Sequence, residues 1–200
     1  MRKIVLATHN PHKVEEFQAI VAETRPDLQV VAYDGPEPVE DGVTFAENAL
    51  IKARAAAAHT GLPALADDSG ICVDVLGGAP GVFSAYWAGH AKDAAANLTL
   101  LLDQLSDVRD PHRTAQFVST IALVVPGDAS RESVVEGVWP GRLAAAASGG
   151  GGFGYDPIFV PDGQEPDAER TVGEWTAHEK NAASHRSRAF RSLVPLLETL

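Results

Sequence analysis

The stretch KIVLATHNPHKVEEFQAIV, residues 3–21, reads as a strand that runs into a helix. Lys3 to Ala7 is a short apolar run suited to a buried strand. Asn10-Pro11 then offers an N-cap followed by proline at the first helical position. Val14, Phe17, Ile20 and Val21 recur at helical spacing, so Glu15 and Glu16 face solvent or the mouth of a site. Between the two elements lies THNPHK, Thr8 to Lys13. Free N–H groups and the positive end of the helix dipole favour an anion there, and Thr8, Asn10 and Lys13 add donors and a cation. An ordinary capped helix with a solvated lysine would look the same in this segment alone.

Working outward, Thr44-Phe45-Ala46-Glu47 matches a capping box ahead of an alanine-rich helix that ends near Gly61. LPALADDSGICVDV, residues 62–75, reads as strand, turn, strand, with Asp67 and Asp68 where the chain leaves the first strand. Leu98, Leu101, Leu102 and Leu105 mark a third helix, and TAQFVSTIALVV and ESVVEGVW read as successive strands, so the middle of the chain is α+β in character. Ser184 to Leu200 is helix-like, with Ser184 as cap and Pro195 expected to kink or break it.

The 200 residues suit one domain, or two small lobes around a shared sheet, and a hydrophobic fraction of 45% with 22% charged residues is that of a folded chain. A lone cysteine, Cys72, excludes an internal disulfide and reads as a small buried hydrophobe beside Ile71 and Val73. The apolar run of MRKIVLATHN is too short for a signal sequence or a membrane span, which makes a cytoplasmic enzyme the default expectation. A net charge of -11 disfavours binding to nucleic acid, and a small anionic ligand would need a local cluster of cations or a metal ion.

Two further segments carry chemistry. Glu40, Asp41, Asp67 and Asp68 form an acidic group of the kind that holds a hard divalent cation through one or two carboxylates plus substrate phosphates, although adjacent aspartates also form plain solvated turns. EKNAASHR places Lys180, His185 and Arg186 near the start of the last helix, where they serve either a phosphate, the oxygen edge of a base, or merely a solvated basic turn. No H-E-x-x-H, G-x-S-x-G or Walker A string is present. Trp87, Trp139 and Trp175 are scattered and read as anchors.

GGGGFGYDPIF, Gly149 to Phe159, formally contains G-x-G-x-x-G, but Pro157 and the apolar residues after it favour a turn and strand over the helix a dinucleotide site requires. The reading that remains is a loop whose glycines allow close approach while an aromatic ring stacks on a flat ligand such as a nucleobase.

Taken together, THNPHKVEEF, EDGVTFAENALIKA, ALADDSGICVDVLGGAPGVFSA, GGFGYDPIF and EKNAASHR resemble the inosine/xanthosine triphosphate pyrophosphatases, the Ham1-like pyrophosphatases of non-standard purine nucleoside triphosphates. The strings occur in family order over nearly the whole chain. The resemblance implies an α/β fold of one domain, residues 1–200, with two lobes around a long central mixed sheet, a substrate cleft between the lobes, and a homodimer. It implies magnesium-dependent hydrolysis of ITP, dITP or XTP to the monophosphate and pyrophosphate.

Carried over by motif, Thr8, Asn10 and Lys13 hold the triphosphate, with His9, Pro11 and His12 in the same substrate-binding segment and Lys52 joining from the second helix. Glu40 and Asp68 serve the metal, Asp68 accepts a proton, Asp67 supports it, and Ser69 touches substrate. Phe153 stacks on the base, Gly154, Tyr155 and Asp156 shape its pocket, and Lys180, His185 and Arg186 complete it. The chain departs from the family pattern at Tyr86, where many relatives have arginine, and at Ala147-Ser148, which replaces a proline-containing approach to the glycine loop. A Maf-type pyrophosphatase and a non-hydrolysing nucleotide-binding protein are the alternative readings.

Overall fold

The computed structural model describes residues 2–127, 131–165, 169–198 and 200, with His12 and Glu16 described by their backbone alone. Hence the side chain of His12, one of the expected site residues, lies outside the described set. The elements in chain order are β1 (Arg2–Leu6), α1 (Pro11–Thr24), β2 (Leu28–Ala32), α2 (Phe45–Thr60), β3 (Ala64–Val73), α3 (Ala94–Gln104), β4 (Thr114–Val124), β5 (Glu132–Leu143), β6 (Phe159–Pro161), α4 (Ala177–Ala183) and α5 (His185–Leu197). The strands form one six-stranded sheet in the order β2-β1-β3-β4-β5-β6. β1 runs parallel to β2 and β3, while β5 and β6 are antiparallel, so the expected mixed α/β sheet is present.

The chain divides into two compact units, one of residues 1–68, 119–137 and 189–200 and the other of residues 69–118 and 138–188. In the first unit, strand alternation sends Ile4, Leu6, Leu65, Ile121 and Leu123 into a core with Phe17 and Val21 of α1 and with Phe190 and Leu193 of α5. The intervening residues Val5, Ala64, Ala66, Ala122 and Val124 pack instead with Ala49, Ala53, Ala56 and Ala57 of α2. Small side chains on both sides bring α2 close to the strands. α2 begins at the expected capping box, Thr44 with Glu47, and ends at Gly61, whose backbone has φ +67 and whose N–H donates to the carbonyl of Ala57.

The second unit packs Leu101 of α3 and Leu105 just after it with Phe117, Trp139, Leu143, Ile158, Phe159 and Val172. Arg113, almost wholly buried, donates to the backbone carbonyls of Leu105, Val108, Leu143 and Ala144. It ties the end of α3 to the end of β5 without needing a carboxylate.

Three expectations need correction. Residues 64–73 form one uninterrupted strand, not strand-turn-strand, because the two carboxylates expected to make a solvated turn are each neutralised where they stand, as described below. Pro195 does not end the last helix: α5 continues to Leu197, held by the buried faces of Phe190, Leu193 and Leu197, and Ser184 Oγ caps it by accepting from the Ser187 N–H. Cys72 is only half-buried.

The glycine loop enters the 3-10 turn Asp156–Ile158 and then β6, as a turn and strand should. Two of its glycines make close backbone contact: a Cβ on Gly149, where φ is +78, would lie 2.1 Å from the carbonyl oxygen of Gly173, and the Gly151 N–H donates to that same oxygen at 2.8 Å. Gly149→Ala is therefore expected to lose about 1–3 kcal/mol through overpacking against backbone. Gly150→Ala, with nothing within 4 Å of the added carbon, should stay within about 0.5 kcal/mol. Urea unfolding of the two variants checks this, and equal midpoints would show that the loop is not held against Gly173.

Candidate functional site

In β3 successive side chains point to opposite faces, so Asp67 follows Leu65 and Asp68 follows Ala66. Each carboxylate therefore meets a different helix. Lys13 of α1 donates to both oxygens of Asp67, at 2.9 and 3.0 Å, and Asp67 is 4% exposed. Lys52 of α2 lies 3.0 Å from Asp68 Oδ1 and 2.7 Å from Glu40 Oε2. Asn48, one helical turn before Lys52, donates to Asp68 Oδ2 at 3.4 Å and accepts from the Gly42 N–H at 2.9 Å. A cavity of about 150 Å³ opens onto Thr8, His9, Lys13, Tyr33, Glu40 and Asp67, among other residues.

Burial pushes the Asp68 carboxyl above its ordinary value, an effect that Lys52 opposes and Glu40 reinforces. Burial also pulls on Lys52, but Asp68, Asp67 and Glu40 together outweigh it and hold the ammonium above its usual value. Asp68 is thus a carboxylate inclined to take a proton beside a cation that stays charged.

Thr8 and Asn10 lie at the start of α1, where the Asn10 N–H donates to Thr8 Oγ1 at 3.2 Å. Pro11 is the first residue of that helix. The His9 ring is turned toward the segment after β2, with Nε2 3.0 Å from the Gly35 carbonyl oxygen and Nδ1 3.2 Å from Glu37 Oε1. Asp41 is exposed.

Glu40 and Asp68 already share one cation, the Lys52 ammonium, and this oxygen pair suits a hard metal ion. Among the described residues no group of three or more His, Cys, Asp or Glu side chains is arranged around a metal position. Two carboxylates completed by water and phosphate oxygens are what magnesium accepts, so the donors fit that ion.

The second unit holds the other expected residues. Phe153 is 64% exposed, with Lys180 Nζ 4.3 Å and the Arg186 guanidinium carbon 5.4 Å from its ring centroid. Asp156, 2% exposed, accepts through Oδ2 from the Phe153 N–H and from Lys180. It supports the loop while placing the lysine. Tyr155 is buried, its hydroxyl donates to the Ser84 carbonyl at 2.9 Å, and burial raises its pKa. Gly154, between Phe153 and Tyr155, takes φ +60.

His185 stacks on Phe117, centroids 4.9 Å apart, with Trp139 on the next ring. Arg186 Nη2 donates to Ser69 Oγ at 3.4 Å. Asn48, Tyr33 and Ser84 were not among the expected site residues. Asn48 was within reach of sequence reasoning, since it lies four residues before Lys52 on the same helical face. Tyr33 and Ser84 act through ring and backbone contacts that no spacing reveals.

The Ham1 family model matches residues 4–196. This chain belongs to the Ham1 family. A dITP/XTP pyrophosphatase of Leifsonia xyli is 60% identical over 200 residues, covering 100% of this chain and 98% of that one. Another from Streptomyces coelicolor is 52% identical over 204 residues, with coverage of 100% and 99%. Among solved structures, a HAM1 protein from Coxiella burnetii superposes with a TM-score of 0.89 at 40% identity over 100% of both chains. The Staphylococcus aureus Ham1 protein gives 0.83 at 35% identity over 99% of each. The mixed sheet and its helices are thus the Ham1 fold.

In this Ham1 chain, Lys52→Met leaves the half-buried Asp68 without its main cation, which at neutral pH should cost about 1–3 kcal/mol. A carboxyl whose folded-state pKa is raised binds its proton more tightly folded than unfolded. Its charge therefore weighs on stability above that raised value, and the weight lifts as pH falls toward the ordinary carboxylate range. The loss in Lys52→Met should accordingly shrink on acidification. Urea midpoints across that range provide the measurement, and a loss independent of pH would remove Asp68 as its source.

Proposed function

We propose that this chain hydrolyses the non-standard purine nucleoside triphosphates ITP, dITP and XTP to the monophosphate and pyrophosphate. The observation that carries this reading is Asp68, a half-buried carboxyl that shares the Lys52 ammonium with Glu40 and whose pKa is raised by desolvation. A protein that only bound nucleotides would have no use for a proton acceptor held in this way. The names of the 60% and 52% identical relatives supply the substrate class.

In this reading Thr8, Asn10 and Lys13 take the triphosphate, with Lys52 beside them, while Glu40 and Asp68 hold magnesium. When bound, the ion would neutralise charge on the phosphate oxygens and make a nearby water more acidic. Asp68 accepts the proton of the attacking water. Lys13, paired with Asp67, and Lys52, paired with Asp68 and Glu40, are already oriented cations. They stabilise the charge that develops on the pyrophosphate leaving group. Water attacks the α-phosphorus.

Phe153 stacks on the base. Lys180 and Arg186 already face its ring, and a cation over an exposed aromatic ring contributes only about 0.5–1 kcal/mol, so a purine displaces either one at little cost. Ser69, Lys180, His185 and Arg186 supply donors for the base edge. The 6-keto oxygen of hypoxanthine or xanthine accepts from them, whereas the 6-amino group of adenine presents a donor to a donor. Residues 1–200 act as one catalytic domain, cytoplasmic and homodimeric.

Pyrophosphate release with magnesium from ITP, XTP, ATP, GTP, dUTP and dTTP tests the reading. ITP and XTP should lead, and preference for a pyrimidine nucleotide, or no release at all, overturns it. Asp68→Asn should retain the fold and lose about 10²–10⁴-fold in kcat, the usual contribution of a positioned acid or base. With Arg186→Ala the preference for ITP over ATP should fall, and full retention would show that the 6-keto oxygen is read elsewhere. In oxygen-18 water the label should appear in the monophosphate; label confined to pyrophosphate would mean attack at the β-phosphorus.

A further inference from the structure

Between β2 and α2 runs a strap, Asp34 to Val43, with no regular secondary structure. It carries Glu40, whose carboxylate meets Lys52. Apolar burial does not hold it down, since Val39 and Val43 are 81% and 80% exposed. Its far end is tied to α2, where Asn48 Oδ1 accepts from the Gly42 N–H and Glu47 Oε2 from the Val43 N–H.

The near end depends on two rings. Tyr33, 5% exposed, donates through its hydroxyl to the Pro36 carbonyl at 2.9 Å, and Gly35 lies so close that an added Cβ would approach within 2.4 Å of the Tyr33 hydroxyl oxygen and 2.6 Å of the ring. His9 stacks parallel to Tyr33, centroids 5.7 Å apart and planes 3° apart. From there it reaches the strap twice, through Nε2 to the Gly35 carbonyl and Nδ1 to Glu37. His59 of α2 meets the edge of Tyr33 and lies 3.6 Å from Asp34.

We infer that His9 is a positioning residue, which clamps the strap to the loop Thr8–Lys13 and so sets where Glu40 stands, and not a residue that holds substrate through its side chain. Both ring nitrogens face strap oxygens, so a phosphate oxygen would have to displace an existing contact to reach the ring. The inference rests on the proposed function for the roles of Glu40 and Lys13. Its chemistry is that of a group behind a metal ligand, whose removal weakens metal use and leaves the phosphate donors of Thr8, Asn10 and Lys13 in place.

The test uses the full chain with inorganic pyrophosphate as probe, measured by calorimetry with and without magnesium, together with amide hydrogen exchange of residues 34–41. His9→Ala should speed exchange across the strap and raise the magnesium concentration needed for tight pyrophosphate binding by about tenfold, the lower end of the effect of losing a group behind a metal ligand. Metal-free pyrophosphate binding should be unchanged. His9→Gln, which keeps a donor for the Gly35 carbonyl, should restore most of both. Weaker metal-free binding with unaltered strap exchange would overturn the clamp and make His9 a direct ligand. Lys13→Ala separates the two claims: if it binds pyrophosphate like the parent, the phosphate assignment fails, while the exchange arm still decides the clamp.

Discussion

Two adjacent carboxylates in a buried strand have to be neutralised, and in a strand they cannot share a cation on one face. This constraint organises the first unit. Asp67 and Asp68 alternate across β3, so one faces the layer built from α1 and the other the layer built from α2. Each helix answers with a lysine, Lys13 near the start of α1 and Lys52 midway along α2. A carboxylate left alone in either place would carry the full cost of burial. The two ion pairs that tie β3 to α1 and to α2 therefore answer one electrostatic requirement.

The second unit repeats the arrangement with a different purpose. Asp156 is as buried as Asp67 and also takes a lysine, Lys180, but it spends its remaining capacity on the Phe153 backbone. The carboxylate thus shapes a loop and leaves the ring exposed, with two cations facing it. A chain of net charge -11 that handles an anionic nucleotide needs its cations placed singly, each oriented by a buried carboxylate. Overall charge says little about such a site.

Much of the fold was legible because local periodicity and tertiary demand agreed. α2 starts and ends where its capping box and Gly61 say it should, and the alternation of Ile4, Val5 and Leu6 is the alternation of two cores. The readings that failed were those where a local rule met a partner distant in sequence. Adjacent aspartates favour a turn when solvated, yet Lys13 and Lys52 keep β3 unbroken. Proline disfavours a helix interior, but Pro195 falls near the end of a helix whose apolar face is already buried. In the glycine loop, Gly149 and Gly151 lie against the backbone of Gly173, while Gly150 has open space beside it.

The candidate site divides in the same way. Residue types and motif order nominate Thr8, Lys13, Glu40, Lys52, Asp68, Phe153 and Arg186 as candidates, because the chemistry of phosphate, metal and base restricts which side chains can serve. Which carboxylate meets which lysine was beyond the sequence, since pairing depends on the face each residue takes in a strand whose very continuity was misread. The same holds for His9, which belongs by sequence to the Thr8–Lys13 segment and by contact to the Glu40 strap. Composition and spacing determine which groups are present and roughly in which element. Only the packed chain decides partners, because a hydrogen bond or ion pair forms over a few ångströms of space whatever the distance along the chain.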